Sequence, residues 1–259
     1  MHERCFIPTA AWTEKMVQPS AEEAHYLRNV LRAREGDTVE VFDGQGHTGE
    51  ARVRLSPAAK ENGQPRQRQP DVRLEILSQK TFPPRRTQIV LIQAPPKGAK
   101  SDWIIEKAVE LGAAEIWMVF TERVTARPAA GQKTEREERW RRVALSAVRQ
   151  CHAPWLPTVR VFDNLKEALP HCAALPLLLI GSLAPDAQPL RGVLQQGTPE
   201  RPAKIGMVIG PEGDLTNEEA LMLERAGGVP VTFGTQVLRA ETAALYGLSA
   251  LTYELAAGR

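Results

Sequence analysis

Ile205-Gly-Met-Val-Ile-Gly210-Pro211-Glu212-Gly213-Asp214-Leu215-Thr216 is an apolar run that ends abruptly in a Gly/Pro turn, with a helix signal just beyond it. Thr216 and Glu219 have the spacing of a capping box, which opens a helix predicted to reach about Ala226. A buried strand followed by a tight turn and a capped helix is the unit from which parallel α/β sheets are built. The turn's glycines let backbone groups approach a ligand closely, at the strand ends where open α/β sheets bind their ligands. A sharp strand-to-helix connection would account for the glycines alone. It leaves Glu212 unexplained, so structural and binding readings both stay open at this point.

Working outward, Gln88 to Ala94 (QIVLIQA), Glu115 to Phe120 (EIWMVF) and Leu175 to Ile180 are further apolar runs suited to buried strands. Helices are expected at Ser101–Leu111, stopped by Gly112, at about Glu135–Gln150, and from Glu241 to about Ala257. Strands alternating with helices imply a mostly parallel sheet covered on both faces. Near the end, Val231-Thr-Phe-Gly234 passes through a loop to Arg239 and Glu241 at the mouth of the last helix. Glu241 suits a helix N-terminus, and Arg239 is a natural ion-pair partner for it. The same opposite charges beside a glycine turn are also what a site needs to orient a polar, planar substrate.

Residues 1 to about 80 have a different texture. Ser20 and Glu23 match a capping box, with Ala24, Leu27, Val30 and Leu31 following at helical spacing, so a short helix is expected to run to about Arg34. Alternating apolar and polar residues on both sides of a Gly-rich turn, and again at VRLEIL, predict antiparallel strands. We expect a small β-barrel-like module over residues 1–80 and an α/β domain over 81–259. Gly44-Gln-Gly46-His-Thr-Gly49 matches a dinucleotide-binding GxGxxG, but the following EARVRL alternates like a strand where such a site needs a helix. A hairpin turn is the better reading.

The chain has 259 residues, 42% of them hydrophobic and 25% charged, which is enough apolar material for real cores. No apolar run is long enough to cross a bilayer, and the N-terminus has no secretion signal; a cytoplasmic location is the default expectation. Three cysteines without a CxxC pair argue against a disulfide framework and against a zinc site, and no metal is expected. The net charge of +2 hides an imbalance: residues 52–86 carry 9 Lys and Arg against 3 Asp and Glu. Arginine forks bind phosphate and stack on bases, but charge alone leaves RNA binding and a solvated surface both open.

Four stretches together resemble the RsmE family of 16S ribosomal RNA uridine N3-methyltransferases, within the SPOUT superfamily: AHYLRNVLRAREGDTVEVFDG, KSDWIIEKAVELGAAEI, IGPEGDLTNEEA and FGTQVLRAETAAL. Their order and spacing cover nearly the whole chain, and the pairing of GPEG with LRAETAAL is the specific part. The resemblance implies an N-terminal PUA-like RNA-binding module, a C-terminal domain tied in a trefoil knot, a homodimer, and S-adenosylmethionine held largely by backbone groups. It places the cofactor near Ile180 and Gly181, against Gly210, Glu212 and Gly213, and beside Phe233, Gly234, Val237 and Leu238. Arg239 and Glu241 would face the substrate, with Arg239 stabilising the uracil anion and Glu241 a candidate general base. His25, Arg28 and Arg32, with Arg66 and Arg68 of the basic hairpin, are the RNA-contact candidates on 16S ribosomal RNA or the small subunit. The sequence departs from the family pattern at Arg149-Gln150-Cys151-His152-Ala153, where EQxxR is usual, at Gln236, where Arg is common, and at Asp214, where a second Gly is common. These departures bear on substrate positioning more than on cofactor binding. A non-catalytic RNA-binding assembly factor, or a methyltransferase with another RNA target, are the alternatives.

Overall fold

A computed structural model describes residues 4–56, 60–61, 64–65, 71–125, 131–196 and 201–256. Arg66 and Arg68 lie outside the described residues. The chain divides into two compact units, Met1–Pro84 with Val148–Leu156, and Arg85–Ala147 with Pro157–Arg259.

The first unit contains β1 (Arg4–Phe6), β2 (Met16–Val17), α1 (Ala21–His25), β3 (Thr38–Phe42), β4 (His47–Ser56), the two-residue strands β5 (Lys60–Glu61) and β6 (Gln64–Pro65), and β7 (Asp71–Thr81). Its main sheet has the order β1-β3-β4-β7-β2. The expected antiparallel pairing holds for β3, β4, β7 and β2, whereas β1 runs parallel to β3. Alternation gives the core: Val39, Val41, Ala51, Val53, Val72 and Leu74 face inward and pack with Leu27, Ile7 and Trp12. The GxGxxG stretch is the hairpin turn between β3 and β4, with Gly44 and Gly46 at φ +69° and +96°. A Cβ at Gly44 would stand 2.6 Å from Leu156, and one at Gly46 2.6 Å from the Trp155 ring, so the turn is also the seat of segment 154–156.

The helix after Ser20 is shorter than expected. Ser20 Oγ accepts from Glu23 N–H, but α1 gives way at Tyr26 to a wider turn in which Leu31 N–H reaches the Tyr26 carbonyl. Arg32 at φ +53° then ends it, and Ala33 N–H bonds back to the Leu27 carbonyl. Glu23 does not complete the capping box, because its buried carboxylate accepts from Phe6 N–H and pairs with Arg149.

The second unit contains β8 (Gln88–Gln93), α2 (Lys100–Glu110), β9 (Glu115–Val119), α3 (Lys133–Cys151, its last turn in the first unit), β10 (Thr158–Phe162), α4 (Leu165–Ala173), β11 (Leu177–Gly181), β12 (Gln188–Pro189), α5 (Leu190–Gln196), β13 (Lys204–Ile209), α6 (Asn217–Arg225), β14 (Gly228–Thr232) and α7 (Ala240–Ala256). The seven strands lie in the order β10-β9-β8-β13-β11-β14-β12, and every pairing is parallel. Both sheet faces are buried, which is why β8 and β13 read as continuous apolar runs. On one face Val90, Ile92, Trp117, Ile180 and Val208 pack with Leu165 and Ala168 of α4 and Leu223 of α6. The alternate residues Ile89, Leu91 and Met207 are also buried, and α7 packs on β8, β13 and α2. Among the described residues no helix is long and apolar enough to cross a membrane.

Candidate active site

Three neighbouring parallel strands, β13, β11 and β14, end side by side, and the loops that leave them enclose a cleft of about 280 Å³. Gly181 ends β11 and Leu183 follows it, Ile209 ends β13 and Gly210 to Glu212 and Asp214 follow it, and Phe233, Gly234 and Gln236 to Arg239 lead from β14 into α7. Of the nine residues predicted to hold the cofactor, Gly181, Gly210, Glu212, Phe233, Gly234, Val237 and Leu238 line this cleft. Ile180 and Gly213 do not. Ile180 is 2% exposed, and its side chain fills the space that a Cβ on Gly228 would take. A Cβ on Gly213 would instead meet the Arg123 side chain at 3.4 Å.

Each glycine in the lining has a local reason. A Cβ at Gly181 would crowd Ile209, Phe233 and the Val208 carbonyl at 3.1–3.3 Å. One at Gly210 would stand 3.1 Å from Asp214 Oδ1 and 3.2 Å from Leu215 N, so a side chain there would push on the loop. Gly234 has φ +130°, a conformation that only glycine adopts readily. Its N–H and carbonyl both bond the Thr232 hydroxyl, which fixes the start of the last loop.

The β13 loop is held on two sides. Lys97 N–H, in the segment after β8, donates to Glu212 Oε1 at 2.9 Å. Arg123 Nη1 donates to the carbonyls of Gly213 at 2.7 Å and Leu215 at 3.2 Å. Beyond the loop, Thr216 and Glu219 form a full capping box on α6, and Glu219 also accepts from Glu122 N–H. Sequence reasoning missed Arg123 and Lys97, because their partners are about ninety and more than a hundred residues away and leave no local pattern.

Arg239 is exposed, lines the cleft, and its carbonyl accepts the first hydrogen bond of α7 from Ala243. Glu241 is not in the lining. Its Oε1 pairs with Lys100 at 2.7 Å, and Oε2 is buried without a hydrogen-bond partner. The Lys100 hydrogen bond is the main reason its carboxyl is held below the usual carboxylate range, with Arg239 adding to the effect.

The departures at Arg149–Ala153 lie outside the cleft and serve the first unit. Arg149 pairs with Glu23 and stacks over the Tyr26 ring, and His152 Nδ1 lies 2.8 Å from Glu40. Arg4, whose side chain is fully buried, donates to the carbonyls of Val148 and Ala153 and pairs with Glu40. His25 and Arg32 are exposed and Arg28 is half-buried; His25 and Arg28 lie on the helical segment of the same unit and Arg32 just beyond its end. Among the described residues no group of His, Cys, Asp and Glu is placed to hold a metal ion.

The chain matches the RNA methyltransferase domain family over residues 83–252 and the RNA methyltransferase PUA domain family over residues 19–55. It is 32% identical to the ribosomal RNA small subunit methyltransferase E of Synechocystis sp., over 91% of this chain and 72% of that protein. The Bacillus subtilis protein of the same name is 27% identical over 91% and 89%. Among solved structures, a ribosomal RNA small subunit methyltransferase E from Neisseria gonorrhoeae bound to S-adenosylmethionine superposes with TM-score 0.79 at 28% identity, covering 97% of each chain. A Legionella pneumophila methyltransferase in complex with the same cofactor gives 0.81 at 25% identity, covering 98% of each. A cleft at the ends of three parallel strands, carried by a chain that matches these proteins over nearly its full length, makes this protein a member of the ribosomal RNA small subunit methyltransferase E family of RNA methyltransferases.

Proposed function

We propose that the protein transfers a methyl group from S-adenosylmethionine to N3 of a specific uridine in 16S ribosomal RNA, on the small subunit or its precursor. The observation that carries this reading is the cleft, where seven of the nine residues expected from the family resemblance come together with Arg239 at the rim. Its lining suits the cofactor: Ile209, Phe233, Val237 and Leu238 offer apolar surface for a flat ring, and Glu212 and Asp214 offer acceptors and negative charge for a ligand that carries net positive charge. When bound, the cofactor supplies an electrophilic methyl group on a sulfonium, and displacement at that carbon needs placement more than covalent help.

The chain's own residues then have to bring in a uracil and favour loss of its weakly acidic N3 proton. Arg239 is placed to stabilise the negative charge that spreads onto the uracil carbonyl oxygens. Glu241, held ionised by Lys100 and Arg239, is a weak base for that proton. Its better-supported role is at the mouth of α7, where it pairs with Lys100 and adds negative charge next to Arg239 in the chain. His25, Arg28 and Arg32, within or beside the PUA match, are the proposed RNA contacts of the first unit, with Arg66 and Arg68 expected to add to them. A trefoil knot and a homodimer belong to the same reading. The dimer is supported by apolar side chains left exposed on α7 and α2, namely Tyr246, Tyr253 and Trp103. Free thiols and a ribosomal substrate fit a cytoplasmic setting.

Arg239→Ala tests the division of labour. Methyl transfer should fall by about a hundredfold or more, while calorimetric affinity for S-adenosylmethionine changes little. Loss of cofactor binding would move Arg239 from substrate to cofactor, and full activity would remove it from the mechanism.

A further inference from the structure

Asp214 is an unexpected residue in the cleft. Its backbone lies at φ +60°, a region that costs most side chains and that glycine enters freely. The turn itself does not need a carboxylate there. Asp214 N–H closes it onto the Pro211 carbonyl, and Oδ1 accepts the next residue's N–H, from Leu215 at 2.8 Å. That oxygen lies over Gly210, 3.1 Å from where a Cβ would stand, and Asp214 lines the cleft. Among the described residues three ionisable side chains line the cleft, Glu212, Asp214 and Arg239, and their formal charges sum to one negative charge. Glu212 is already engaged through Oε1 with Lys97 N–H, and Arg239 stands at the exposed rim.

S-adenosylmethionine and the product left after transfer, S-adenosylhomocysteine, share an adenosine and a zwitterionic amino-acid tail. They differ in one methyl group and in the positive charge on sulfur. The substrate cofactor therefore carries net +1 and the product is neutral. We infer that the Asp214 carboxylate lets this cleft distinguish the two by charge, holding the sulfonium form and releasing the neutral thioether. The inference rests on the reading of the cleft as the cofactor site. A carboxylate in a partly solvated cleft acts on a charge several ångströms away without needing contact, which is the regime in which a single unit of ligand charge changes affinity measurably.

The experiment is a pair of calorimetric titrations, with S-adenosylmethionine and with S-adenosylhomocysteine, on the wild-type protein and on Asp214→Asn. Asn tolerates the same backbone region and keeps an oxygen for Leu215 N–H, so the loop is preserved while the charge is removed. The Kd for S-adenosylmethionine is expected to rise about five- to tenfold and that for S-adenosylhomocysteine less than about twofold. Asp214→Gly, which relaxes the backbone, should show the same selective loss at equal or higher thermal stability. Equal weakening of both ligands would mean that Asp214 reads the amino-acid tail they share, and no change in either would make it a turn residue; each result overturns the inference. Failure of the wild-type protein to bind either ligand would instead overturn the reading of the cleft.

Discussion

Replacing Arg123 with Met isolates the clamp on the β13 loop. The guanidinium lies outside the cleft, so the change removes no cleft-lining group. What it removes are the two hydrogen bonds from Nη1 to the Gly213 and Leu215 carbonyls, at 2.7 and 3.2 Å. Hydrogen bonds from a charged donor contribute about 1.5–3 kcal/mol when buried; here Arg123 and Gly213 are exposed and one bond is long, so about 1–2 kcal/mol in total is reasonable. If that energy holds residues 210–215 in the binding arrangement, its loss lowers the competent population and weakens S-adenosylmethionine about five- to thirtyfold. Calorimetric titration reads the affinity, and a thermal melt separates a loop effect from general destabilisation. Wild-type affinity in the variant would refute the clamp, because the loop would then be fixed by Lys97, Glu219 and its own turn.

Arg4→Met should destabilise the protein by about 2–4 kcal/mol in urea titration, since two carbonyls and Glu40 lose a fully buried charged partner; a loss under about 1 kcal/mol would mean that the cost of burying the guanidinium cancels its bonds. Asp43, with a fully buried side chain, would be raised by burial, but the N–H groups of Gln45 and His47 and the His47 ring outweigh this and hold its carboxyl below the usual range. A depressed folded-state value gives stability that is present above the unfolded value of about 3.9 and lost as pH falls through the folded one. Asp43→Asn should therefore be less stable than wild type at pH 7, with the gap closing only as pH falls from about 4 through the lower folded value; a gap independent of pH would count against the charge. Burial pushes the Cys172 thiol up to about 11 and Cys5 is raised as well, so alkylation of the native protein at pH 8 should mark Cys151 and leave the other two until the chain is unfolded. Rapid native labelling of Cys172 would contradict its buried setting.

The parts legible in the sequence were those written in local pattern. QIVLIQA and IGMVI announce doubly buried strands because both faces are covered. Thr216 with Glu219 announces α6 because the box closes within one turn. The GPEG and FGT turns are placed at the cleft by the family resemblance, since a sharp strand-to-helix connection would account for their glycines alone. What was missed depends on long-range pairing or on brevity. β1 is three residues long and is defined by its parallel register with β3, and β10 is an edge strand whose TVRVF alternates too briefly to stand out. Val148–Leu156 joins the first unit through Arg4, 144 residues from Val148, and through glycines at 44 and 46 that read as no more than a turn. Ser20 and Glu23 show the limit of local signals. The serine caps as expected, but Glu23 is drawn away by Phe6 and Arg149, neither of which its neighbours in sequence reveal.

Nucleoside mass spectrometry on small-subunit RNA lacking the modification, after incubation with S-adenosylmethionine and the purified protein, tests the proposed uridine methylation most directly. The wild-type protein should give 3-methyluridine in the 16S digest, and Arg239→Ala almost none. A ribose-methylated nucleoside, another methylated base, or no methylated product from a protein that binds the cofactor would contradict it.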